Sequence, residues 1–318
     1  MTTQHPAAPH ATASRSTAPS PNLLPAATTM DAVTLYVRDI DAMIAFYTNV
    51  ITLDVLIDTT THANDARTGI VTLGRGTTPI IVLRHEPNLP QPTRTEAGLF
   101  HTAILFPTQR DLARVLLSVA QKAPRLFTGS ADHLVSQAFY LNDPEGNGIE
   151  LYWDRARDQW QWNGNHVVMD SLWLDPNGFI TEHLGDTPAD APHTPAGEAQ
   201  VGHVHLQVGD TDAAASFYSA ILGFEPTAQV PGALFVAAGG YHHHMAMNTW
   251  NSRGAGPRAS SLGLGEVSIM VPHNDDIAAL SDRLKHHRIT AAHTGAALTF
   301  EDPWRNRLAV SVTPSRAQ

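Results

Sequence analysis

The chain has 318 residues, 42% of them hydrophobic, and 20 Lys and Arg against 30 Asp and Glu give a formal charge of −10. That length allows about two domains of ~100–200 residues each, and the negative balance argues against non-specific binding to nucleic acid or to an anionic membrane. Cysteine is absent, which excludes a disulfide framework, a thiolate nucleophile and a cysteine-based zinc site, and fits a cytoplasmic protein.

Residues 1–28 are rich in Ala, Thr, Pro and Ser without hydrophobic periodicity and read as a disordered tail. Their one apolar patch, residues 22–27, is too short for a signal-peptide core. Residues 32–39 then alternate as a strand ending in Asp39, ahead of a helical stretch carrying Phe46 and Tyr47. Residues 203–210 repeat this pattern, with Asp210, Phe217 and Tyr218 in the same places. Residues 101–107 and 266–272 form a second matching pair of strands, each before an amphipathic helix, predicted over 110–122 and 275–286. Both of these units close in related hairpins, Asp143-Pro144 to Glu150 and Asp302-Pro303 to Ala309. Four copies of one strand–helix–strands module follow from this self-similarity. Two lie in residues 29–154 and two in residues 199–318. Between them, residues 155–198 read as a connector whose aromatic portion, with Trp160 and Trp162, packs on the modules. Its Pro-, Ala- and Thr-rich later part, 185–197, reads as flexible. No run approaches the ~20 apolar residues of a membrane span.

Residues 131–150 carry the most chemistry. Residues 139–141 read as a strand, 143–148 as a turn and 149–153 as the returning strand. Glu150 is a carboxylate on a strand that otherwise looks buried, which is costly unless it is paired or bound to a cation. The bland reading is a solvated rim glutamate. His101 and His203 occupy equivalent places at the start of their modules. Either alone could be a core histidine bonded to backbone.

The repeats resemble the vicinal oxygen chelate superfamily of glyoxalases, fosfomycin-resistance proteins and type I extradiol dioxygenases. The segment from His133 through Phe139-Tyr140 and Asp143-Pro144-Glu145-Gly146 to Glu150 closely resembles the extradiol ring-cleavage signature. It departs at Ala131, where that signature usually has Gly, Asn, Thr or a β-branched aliphatic residue. Residues 239–244 and 248–254 strengthen the likeness to four-module dioxygenases of the catechol 2,3-dioxygenase type. The resemblance implies an α+β fold of four βαβββ modules closing into two half-open mixed β-barrels. It also implies a metal site built from the first strands of two paired modules and the last strand of one.

Applied here, pairing modules one and two gives Ala32, His101 and Glu150. Pairing three and four gives His203, Glu266 and Ala309. Only pairing two with three gives His101, His203 and Glu150, which leaves one and four as a barrel without metal. On the rule the resemblance implies, these two imidazoles and one carboxylate hold a metal with coordination positions left open, as non-haem Fe(II) oxygen chemistry needs; Mn(II) suits the same ligands. The resemblance further implies that His133 bonds the substrate oxygens and moves a proton, that the Tyr140 hydroxyl faces the diol, and that a histidine of the third module stands beside the oxygen site. In the run His242-His243-His244, read as part of a strand, His243 is favoured and His244 is next. His205, Asn248 and Trp250 are further pocket candidates. The implied reaction is O2-dependent extradiol cleavage of a catechol-type diol to a muconic semialdehyde at Fe(II). The alternatives are a hydroquinone-cleaving dioxygenase, a metal-dependent glyoxalase-type isomerase or lyase, and a non-catalytic protein that binds a small aromatic compound or antibiotic. The implied partners are a small aromatic diol and O2, and a homo-oligomer is compatible with the resemblance.

Overall fold

The computed structural model describes residues 23–63, 66–185, 197–295 and 297–314. Most of the expected tail and the connector stretch 186–196 lie outside the described residues. The last six residues assigned to the tail, 23–28, are packed: Leu24 is buried, and its amide donates to the Gly223 carbonyl at 2.8 Å.

Aspartates that end first strands do so because they begin helices. Asp39 Oδ1 accepts from the Ala42 amide at 2.9 Å ahead of the helix Ile40–Asn49. Asp210 Oδ1 accepts from the Asp212 and Ala213 amides at 2.9 and 2.7 Å ahead of Thr211–Ala214. Each oxygen satisfies amides that have no partner within the first helical turn. The short helix after Asp210 widens into a π-helical stretch, Ala215–Ile221, that carries Phe217 and Tyr218. The predicted amphipathic helices are Gln109–Lys122 and Asn274–His286. The first buries Leu112, Val115, Leu116 and Val119, the stripe expected of a 3.6-residue period. No helix among the described residues is long and apolar enough to cross a membrane.

The fold is α+β, built on two eight-stranded mixed sheets. In the first, the order is Ala291–Thr294, Ala297–Glu301, Arg307–Val312, Gly263–Val271, Thr29–Val37, Thr78–His85, Ile70–Arg75, Asp54–Asp58. In the second it is Glu225–Val230, Ala233–Ala237, Met245–Asn248, Gln200–Gln207, Gly98–Leu105, Gly148–Asp154, Ser136–Asn142, Phe127–Asp132. Each sheet is joined at its middle by an antiparallel pair of first strands, Thr29–Val37 with Gly263–Val271 and Gln200–Gln207 with Gly98–Leu105. Modules one and four therefore share one sheet, and modules two and three share the other. Each sheet takes one module from either side of the connector. The second sheet curls so far that both of its edge strands reach the same cavity.

Two tyrosines tie the sheets together. Tyr47 of module one donates to Asp143 in the hairpin of module two at 3.2 Å, and Tyr218 of module three donates to Asp302 in the hairpin of module four at 2.9 Å. Glu145, in the same turn as Asp143, accepts from the Arg38 and Asp39 amides at 2.9 and 2.7 Å. These clasps flank one continuous apolar core that includes Val33 and Leu35 from one sheet and Ile104, Leu151, Val204 and Leu206 from the other.

Burial pushes Asp143 up to about 6, against the opposing effect of its donors Asn147, the Glu145 amide and Tyr47. The unfolded chain releases this proton near ~3.9. Between about pH 4 and 6 the folded state holds more protons, so this group's contribution to stability falls as pH rises. The wild type should lose on the order of 2 kcal/mol across that window relative to Asp143→Asn. Urea unfolding of both proteins at several pH values checks this, and a constant difference would refute it.

Candidate active site

Strand period explains why three neighbouring strands offer polar groups together. Ile104, Ile149, Leu151, Val204 and Leu206 point into the core. The alternate residues, His101 and Ala103, Glu150 and Tyr152, and His203 and His205, share the opposite face. Cross-strand register completes the arrangement: Ala103 lies beside both His203 and Glu150, His101 lies opposite His205, and Glu150 lies opposite Tyr140. The small Ala103 side chain leaves space between its two polar neighbours. Gly148 is required by close approach, because a Cβ there would overlap the Phe100 carbonyl and press on His101 Cβ.

His101, Glu150 and His203 converge. Their ligand atoms lie within 4.8 Å of one another, and all three residues are buried. His101 Nε2 is 3.0 Å and His203 Nε2 is 3.2 Å from Glu150 Oε2. Burial alone would raise Glu150, but the neighbouring imidazoles of His203 and His101 outweigh it and hold the carboxyl well below its ordinary range. Burial brings His203 down to about 4, against the pull of Glu150 and helped by His101 and His242. A carboxylate and neutral imidazole are the forms that ligate metals.

The triad lies in a cavity of about 650 Å³ lined by Phe100, His133, Tyr140, His205, Phe235, His243 and Trp250, among others. Tyr140 Oη stands 2.6 Å from His133 Nε2, and His133 Nδ1 stands 2.7 Å from the Asp170 carbonyl oxygen. Burial, then the negative charge of Glu150, raises the Tyr140 hydroxyl well above its ordinary value, so it keeps its proton. Trp250 sits at the mouth, half exposed, with its ring edge-on to Phe100 and His205 at 5.4 and 5.5 Å between centroids.

The three consecutive histidines precede the strand Met245–Asn248 rather than lying on it. Two glycines with positive φ, Gly239 at 62° and Gly240 at 68°, bend the chain ahead of them. Simple alternation does not apply to such a turn, and the three rings go three ways. His243 lines the cavity with its ring centroid 4.0 Å from that of His203. His242 bridges His243 Nδ1 and Asp154 Oδ1, both at 2.8 Å. His244 is turned away from the cavity: its Nδ1 accepts from the Ala238 amide at 3.2 Å, and its ring packs near Tyr241. Burial lowers the His243 imidazole well below its ordinary value, with the neighbouring histidines adding to the effect. Burial likewise brings His244 down to about 3.

Asn248 is fully buried and is absent from the cavity lining. Its amide is 2.9 Å from His205 Nε2 and its oxygen accepts from the Trp250 amide at 3.1 Å, so it supports two residues that do line the cavity.

Other contributors were not named from the sequence. Asp154 continues the Glu150–Tyr152 face of its strand, a period that could have found it. It accepts from Tyr241 Oη at 2.7 Å, and Tyr241 Oη is 2.8 Å from that of Tyr152. Phe100 and Phe235 look like ordinary core residues. Met169, Asp170 and Ser171 lie in the connector, yet they line the cavity.

A family model described as the Glyoxalase/Bleomycin resistance protein/Dioxygenase superfamily matches residues 29–151 and 200–310. The chain belongs to this superfamily. It is 34% identical over 275 residues to Catechol-2,3-dioxygenase of Bacillus subtilis (strain 168), covering 85% of this chain and 92% of that protein. It is also 40% identical over 68 residues to Biphenyl-2,3-diol 1,2-dioxygenase 3 of Rhodococcus globerulus, which covers 21% of this chain and 34% of that one. In fold it resembles a putative dioxygenase from Bacillus subtilis (TM-score 0.60, 14% identity, 90% of this chain and 86% of that one). Glyoxalase I from Zea mays shares the fold as well (TM-score 0.54, 16% identity, 90% and 92% of the two chains). Proteins named as a dioxygenase and as a glyoxalase thus share this fold.

Gly148→Ala should destabilise the protein by about 1–3 kcal/mol, because the clash is with backbone and cannot be relieved by a rotamer. Thermal unfolding with a parallel metal assay checks this. Unchanged melting and unchanged metal content would refute the close approach.

Proposed function

We propose that this protein is an extradiol dioxygenase that opens a catechol-type aromatic diol with O2, using Fe(II) held by His101, His203 and Glu150. The observation that carries the reading is the convergence of this triad with His133, Tyr140 and His243 on one cavity. Similarity to a catechol-2,3-dioxygenase over most of both chains supports it.

The residues fit a divalent metal. His101 Nε2 is buried without a hydrogen-bond partner among the described residues, although Glu150 Oε2 is only 3.0 Å away. A buried nitrogen near a carboxylate but misaligned for hydrogen bonding is accounted for if both face a common cation. Fe(II), or Mn(II) with the same donors, would supply the redox centre at which diol and O2 meet. The protein's own part is to orient the diol and handle its protons. His133, Tyr140 and His243 all line the cavity, His133 bonded to Tyr140 and His243 packed against His203. Phe100, Phe235 and Trp250 provide apolar walls for the ring and shield it from water. A protein in the superfamily that only bound its ligand would have no need of the triad. A glyoxalase-type isomerase is expected to use four protein ligands, and the set found among the described residues has three. A hydroquinone substrate would use the same groups and is the nearest variant.

The protein reconstituted anaerobically with Fe(II) and mixed in air with catechol, alkylcatechols and chlorocatechols should consume one O2 per diol and form a yellow product. Confirmed iron binding without oxygen uptake on any of these diols would overturn the catechol reading. Glu150→Ala should lose its metal, as measured by metal analysis after gel filtration, while keeping its circular dichroism spectrum. Full iron occupancy in that variant would remove Glu150 from the ligand set.

A further inference from the structure

The connector does more than join two pairs of modules. Its main chain is fixed to the edge strand Phe127–Asp132 at several points. Asp132 and Leu172 exchange both backbone hydrogen bonds at 2.9 Å, and Ser130 Oγ donates to the Leu174 carbonyl at 2.7 Å. Beyond these, Phe179 stacks near Phe139 with centroids 4.8 Å apart. Held this way, residues 169–171 form one wall of the cavity, and the Asp170 carbonyl faces His133 Nδ1 at 2.7 Å.

A carbonyl oxygen only accepts, so this contact requires a proton on His133 Nδ1. In the neutral ring, Nε2 is then unprotonated and accepts. Its partner at 2.6 Å is Tyr140 Oη; with Glu150, the other hydrogen-bond partner of that hydroxyl, taken up by a metal, Tyr140 is the donor in this bond. A hydroxyl has one proton, so Tyr140 can offer an approaching diol only its lone pairs.

We infer that connector residues 169–171 position His133 for proton transfer: the Asp170 carbonyl holds its Nδ1–H form, and Tyr140 thereby meets the substrate as an acceptor. This rests on the diol-cleavage reading above. In the resulting step the diol O–H bond breaks and its proton forms a new O–H bond on Tyr140. The proton previously on Tyr140 moves to His133 Nε2. The products are a diol oxyanion and an imidazolium whose Nδ1–H still bonds the Asp170 carbonyl. The reverse transfer returns a proton later in the cycle. No electron changes hands, and Asp170 acts as a positioning residue through its main chain.

The test is the tautomer itself. Two-bond 1H–15N correlation spectra of the full-length protein, metal-free and loaded with diamagnetic Zn(II), identify His133 by comparison with His133→Gln. The expected neutral form carries the proton on Nδ1. A proton on Nε2 instead would overturn the inference whatever the enzyme's activity. Leu172→Pro removes the amide that anchors the strap to the Asp132 carbonyl. It should mix the His133 tautomers and lower kcat about 10-fold or more with KM within twofold. Trp173→Ala, at an exposed ring outside the cavity lining, should change neither. Mixed tautomers in Leu172→Pro with unchanged kcat would also refute the proposal. If no diol is turned over by the iron-loaded wild type, the reaction assignment fails, while the tautomer measurement still stands on its own.

Discussion

An ionised carboxylate buried in the middle of a curled sheet is the constraint on which the rest depends. Removing Glu150 from water without compensation costs several kcal/mol, and the fold answers with two imidazoles on adjacent strands. Both come from first strands, and those strands belong to modules that are neighbours in the middle of the chain. The antiparallel junction of Gly98–Leu105 with Gln200–Gln207 is therefore the structural condition for the site. Ala103 leaves room between His203 and Glu150, and Gly148 lets the strand of Glu150 approach Phe100 and His101 closely.

The other sheet shows what the same architecture does without this constraint. Its equivalent positions carry Glu266 and Ala309, and Glu266 pairs with Arg307 at 2.7 Å near the surface. A single partly exposed ion pair replaces the buried triad, and such a pair contributes little to stability. The two sheets are nonetheless clasped alike, through Tyr47–Asp143 and Tyr218–Asp302. Repetition of the module thus keeps the scaffold contacts while the buried triad lies in one sheet.

Much of this was legible in the sequence because it depends on period and repetition. The aspartates after the first strands, the amphipathic helices and the hairpins are local patterns. The convergence of His101, His203 and Glu150 follows once the site rule implied by the family resemblance is applied to the residue types each module carries. The direction of the histidine run was not legible, because Gly239 and Gly240 replace a strand with a turn whose ring directions no alternation rule supplies. His244 and Asn248 were named for the pocket on the resemblance; the structure leaves both out of its lining, with His244 bonded to the Ala238 amide and Asn248 behind His205 and Trp250. The connector was the largest blind spot. Its composition resembles a linker, and its wall of the cavity arises from backbone bonds to a distant edge strand. Main-chain pairing of that kind leaves no trace in residue type.

The most direct test of the account is where the metal sits. Crystals of the Fe(II)-loaded protein, measured on both sides of the iron absorption edge, should give one dominant anomalous peak bonded to His101, His203 and Glu150. A dominant peak elsewhere, such as at the exposed His286–His287 pair, with none between the three, would contradict it.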